Sequence, residues 1–97
     1  MAQHTYYGFK LQDGVKGLTR ALSDASIDMK LTIINVNEVI FEIEINGRKG
    51  NISLTYTTTT NHPLARLGPI SVLDMTVSDN LPDIKHIFTL AFLRGGG

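Results

Sequence analysis

The sequence predicts an α+β fold: one N-terminal helix packed on a five- to six-stranded, mainly antiparallel sheet, in the order β-α-β-β-β-β-β. Three observations carry that expectation. Two-residue alternation runs through 39–59, VIFEIEI-NG-RKG-NISLTYTTT, on both sides of a turn signal. Between 14 and 26 the apolar spacing changes to three and four. The remaining alternating runs are joined by links too short for parallel crossovers, so sequential antiparallel pairing follows.

In the central stretch, Val39, Phe41, Ile43 and Ile45 fall on one face, with Glu42 and Glu44 on the other. After the turn, Ile52, Leu54 and Tyr56 alternate with Ser53, Thr55 and Thr57. Alternation with β-branched and aromatic residues marks half-buried strands. Asn46-Gly47 tolerates the positive φ of a tight hairpin. The Arg48-Lys49-Gly50 that follows suggests a longer loop or a bulge. The threonine run at 57–60 suggests a solvent-facing edge.

Upstream, 5–11 alternates Thr5, Tyr7, Phe9 and Leu11 against Tyr6, Gly8 and Lys10, which predicts a strand with a bulge at Gly8. Asp13 is a suitable N-cap for a helix at 14–26. Val15, Leu18, Ala21, Leu22 and Ala25 form its apolar stripe; Lys16, Arg20 and Asp24 form its polar side. Gly14 and Gly17 each weaken a helix by about 1 kcal/mol relative to alanine, so this one depends on packing against the sheet.

Residues 29–36 read as a strand with apolar residues on both faces, which suggests a central position. A turn at 35–38 leads into the Val39 strand. The proline- and glycine-punctuated 61–69 is the longest loop, and its Leu64 and Leu67 either fold back or form a contact patch. Residues 70–77 alternate again, and 78–83 form a turn with Pro82. The last strand is expected at 85–93, KHIFTLAFL. Phe41, Ile43, Leu54, Leu18 and Leu22 are the expected core.

Composition narrows the function. A 97-residue chain is one domain with a modest core, for which oligomerisation is a common source of stability. We expect one domain at 1–94 and a flexible glycine tail at 95–97. Formal net charge is zero and the basic residues are scattered, which argues against a nucleic-acid partner. There is no cysteine, hence no disulfide, thiolate metal site or cysteine nucleophile. No signal segment or membrane-length apolar run is seen, so a cytoplasmic protein without a membrane partner is expected. Asn51-Ile52-Ser53 is then a chance glycosylation match.

No catalytic motif stands out. His4, His62 and His86 lack metal-ligand spacing, and no glycine-rich phosphate loop or nucleophile elbow is present. Glu42 and Glu44 share a strand face, but it is the face opposite the apolar one, which fits solvated surface better than acid–base work. Tyr6, Tyr7, Phe9 and Tyr56 lack the basic groove of a single-strand binder. The expectation is a non-enzyme with no cofactor and no metal.

The C-terminal Thr89-Leu90-Ala91-Phe92-Leu93-Arg94-Gly95-Gly96 resembles the end of ubiquitin-like modifiers, a last strand followed by Leu-Arg-Gly-Gly. Thr76-Val77-Ser78-Asp79 resembles the same family at a similar distance from the end. That resemblance implies conjugation through the glycine tail, after adenylation of its carboxylate by an activating enzyme. The chain departs from the family in having a single strand before its helix, no evident second helix, and an extra Gly97.

The expected function is a small non-enzymatic module that binds a protein partner or itself, with a ubiquitin-like modifier as the alternative. The expected contact residues are Phe88, Leu90 and Phe92, as the second apolar face of the last strand, and Arg94, Gly95 and Gly96 in the tail.

Overall fold

The computed structural model describes residues 2–82 and 84–92. Their order is β1 (Ala2–Tyr7), α1 (Leu11–Asp24), β2 (Asp28–Asn35), β3 (Glu38–Ile45), β4 (Arg48–Thr59), a 3-10 turn at Ala65–Leu67, β5 (Ile70–Val77) and α2 (Lys85–Phe92). Every strand pairing is antiparallel, and the five-stranded sheet has the order β1-β5-β4-β3-β2.

The hairpin at the centre is tighter than its sequence suggested. Asn46 and Gly47 have φ of 52° and 78°, and Ile45 faces Arg48, so the link is a two-residue turn. Arg48, Lys49 and Gly50 already belong to β4. Gly50 lies opposite Ile43, where a Cβ would meet Leu81 and Ser78.

β1 and β2 stand at opposite edges, and α1 carries the chain between them. Five strands span about 19 Å, and the 14-residue helix is about 21 Å long, enough for the passage. The helix begins earlier than expected. Lys10 is its N-cap, and Asp13, in the first turn, accepts the Lys10 backbone N–H at 3.1 Å. A carboxylate there also sits at the positive end of the helix dipole. The apolar stripe is as expected through Leu18, Ala21 and Leu22, whereas Ala25 is exposed beyond the helix end.

Leu18, Leu22, Phe41, Ile43 and Leu54 are buried together at the centre of the core, joined by Ile52, Leu73, Met75 and Val77. Thus α1 packs on one face of the sheet, and the other face carries Glu42, Glu44, Thr55 and Thr57 in polar rows.

Four further expectations change. Residues 85–92 form a helix, not a sixth strand, which leaves five strands and adds a second helix. Ile84, Ile87, Phe88, Ala91 and Phe92 recur at three and four, so a helix gathers them on one stripe, whereas a strand would spread them over both faces. The exposed His86 and Thr89 fall on the other side. The threonine run belongs to the central strand rather than an edge; Thr55, Thr57 and Thr59 lie on its polar face, and Thr58 continues the face of Leu54 and Tyr56. β2 is an edge strand rather than a central one. Finally, β1 ends at Tyr7, and Gly8 (φ 86°) follows the strand as a bend rather than bulging within it.

Candidate functional site

The contact residues expected from sequence divide in two. Phe88 and Phe92 are buried in the core of the single chain and offer no free surface. Phe92 stacks on Tyr6 with ring centroids 4.0 Å apart, and Phe88 lies 5.8 Å from His4. The premise of an apolar second strand face falls with the strand itself. Leu90 sits on α2, its side chain outside the described set; Arg94, Gly95 and Gly96 lie outside the described residues, as does the glycine tail at 95–97. Residues 89–92, the start of the modifier-like segment, are helical rather than extended.

The polar candidates stay apart. His4 is half-buried against Tyr6, His62 packs its ring on Tyr7 and accepts the Leu64 N–H at Nδ1, and His86 is exposed on α2. Among the described residues no three histidines or carboxylates gather as metal ligands. Glu42 and Glu44 are exposed as expected. They line an open depression of about 570 Å³ with Asp28, Lys30, Lys49 and Asn51. Glu42 faces Lys30 across the sheet, and Glu44 faces Asp28 and Lys49. Burial raises the Tyr6 phenol above the usual tyrosine range.

Among the described residues no strand pairs with the outer side of β2, and this free edge is the feature that stands out. Its alternation is clean once the register is known. Met29, Leu31 and Ile33 lie opposite Ile43, Phe41 and Val39 and therefore on the helix-bearing face; Asp28, Lys30 and Thr32 point the other way. A register shift between Ile33 and Asn35 takes Ile34 out of the pattern. That irregularity is why the strand reads as apolar on both faces.

α1 reaches β2 only at its beginning, because the helix ends just before Asp28. Exposure grows along the strand as it leaves the helix. Met29 is half-buried against the core, Leu31 is 41% exposed and Ile33 is 72% exposed. Ile34 and, in the following turn, Val36 are exposed too. The neighbours of these residues on β3, Phe41 and Val39, are core. The apolar surface at β2 is therefore the core running out to the edge of the sheet. At the opposite edge the corresponding face of β1 is half-buried: His4 and Tyr6 lie under Phe88 and Phe92 of α2.

Leu64 and Leu67, the other large exposed apolar pair, stay in solvent on the β4–β5 loop and do not fold back. Among the described residues no helix is long and apolar enough to cross a membrane. No known family model, curated protein or solved structure matches the chain.

Proposed function

We propose that the protein is a small non-enzymatic interaction module that takes an extended protein strand onto the free edge at β2. The observation that carries this reading is the exposed row Leu31 and Ile33 on an eight-residue edge strand, continuous with the core. Edge strands of stable monomers are usually blunted by charges, proline or a covering element. Here the strand has one lysine, which points to the polar face, and no proline. An added strand gains main-chain hydrogen bonds from the edge, and its alternate side chains cover the exposed row. This mode needs no titratable or metal-binding constellation.

Panning the whole protein against a random-peptide display library tests the reading. Enriched peptides are expected to alternate apolar residues and to lose binding to Ile33→Lys. Peptides that bind Ile33→Lys as well as the parent would place recognition elsewhere and refute it.

A further inference from the structure

We infer that the strand received at β2 is β2 of a second copy, paired antiparallel about a two-fold axis at Leu31 to give one continuous sheet through both chains. The inference rests on the edge reading above and names its partner.

Backbone direction supplies the first argument. The two-residue turn makes Ile45–Arg48 a hydrogen-bonded pair of the β3–β4 ladder, so odd-numbered residues of β3 direct their N–H and C=O toward β4. The Tyr56 N–H donating to the Asn37 carbonyl at 2.7 Å continues the same series. Even-numbered β3 residues then face β2, where they pair with Asp28, Lys30 and Thr32. This leaves the main-chain groups of Met29, Leu31 and Ile33 directed outward. The free backbone groups thus belong to the same three residues as the apolar row, of which Leu31 and Ile33 are exposed.

Those three residues are complementary to themselves. With Leu31 opposite Leu31 of the second copy, Met29 falls opposite Ile33 of the other chain and Ile33 opposite Met29. All three are then hydrogen-bonded pairs, each exchanging both bonds, and all three side chains lie on the helix-bearing face. Moving the axis to Lys30 would set two lysines against each other and strand Ile33. Moving it to Thr32 would oppose Met29 to Asn35, beyond the register shift. Only the Leu31 axis uses every free group and every exposed apolar residue of the row.

Charge permits the pairing. In this register Lys30 lies opposite Thr32 of the second copy, with Glu42 of its own chain on the other side. The formal net charge of zero leaves no overall repulsion between copies. A two-fold interface of this kind is closed, since each chain offers the same edge once.

The axis makes a specific test available, because residue 31 meets itself. Leu31→Lys and Leu31→Glu are each expected to be monomers in sedimentation equilibrium at concentrations where the parent is a dimer. An equimolar mixture of the two is expected to restore the dimer mass. Far-UV circular dichroism verifies that both fold; Ile33→Lys, at a more exposed position, is a second monomerising variant should either fail. A parent that is monomeric at hundreds of micromolar overturns the self-pairing. So does a dimer that survives in Leu31→Lys, Leu31→Glu and Ile33→Lys alike. A monomeric parent whose panned peptides still require Ile33 would leave the edge reading standing while the second copy fails; peptides indifferent to Ile33 would remove both.

Discussion

Gly17→Ala should destabilise this protein although alanine is the better helix former. On an exposed helix face the change gains about 1 kcal/mol. At residue 17 the new methyl group would run into the backbone carbonyl oxygen of Ala91, because α1 and α2 approach each other at that point. A carbonyl inside a helix moves only with the helix, so the clash displaces α2. Overpacking of this kind costs about 1–3 kcal/mol. After the propensity gain is subtracted, a net loss of about 1 kcal/mol is expected, which lowers Tm by about 4–8 °C in a domain of this size. Because Phe92 of α2 stacks on Tyr6, the near-UV dichroism of Tyr6 should weaken as well. Gly14→Ala is the internal control. Its methyl would meet the tips of Leu73 and Leu54, which can rotate away, so its net change should be smaller. Thermal melting followed by dichroism reads both variants. A Gly17→Ala protein that melts about 4–8 °C higher than the parent, as propensity alone requires, would refute the packing assigned to α1 and α2.

Phe41→Ala, at a fully buried position opposite Leu31 and Ile52, should cost about 3–5 kcal/mol by urea unfolding; a cost under about 1 kcal/mol would mean the sheet face is reversed. Gly47→Val forces a β-branched residue to a φ of 78° and should lower stability by about 1–3 kcal/mol in the same assay, with a near-neutral result arguing against the two-residue turn. Tyr6 holds its proton more tightly folded than unfolded, so its contribution is intact below the unfolded pKa of about 10 and is lost as pH rises through the higher folded value. The Tm of the parent should therefore fall more steeply than that of Tyr6→Phe between about pH 9 and about pH 12; parallel curves would show that the phenol does not ionise from a buried position.

Sequence by itself determined the strands with strict alternation and the helix with a clean stripe. Phe41, Ile43, Leu54, Leu18 and Leu22 could be named as core because period two and period 3.6 each force their apolar members onto one side. Tertiary structure decided the rest. The apolar run at 85–92 fits either secondary structure locally, and docking against α1 and Tyr6 selects the helix, in which Ile87, Phe88 and Phe92 find the same side. The candidate site was hidden for a related reason. Alternation states which β2 residues share a face, but exposure of Leu31 and Ile33 depends on where α1 stops above the sheet and on β2 lying at its edge. Edge position is set by which strands pair, and the pairing of β1 with β5 joins residues far apart in the chain. A local pattern contains no term for that, so the same alternating apolar residues could have marked a covered strand or a free one.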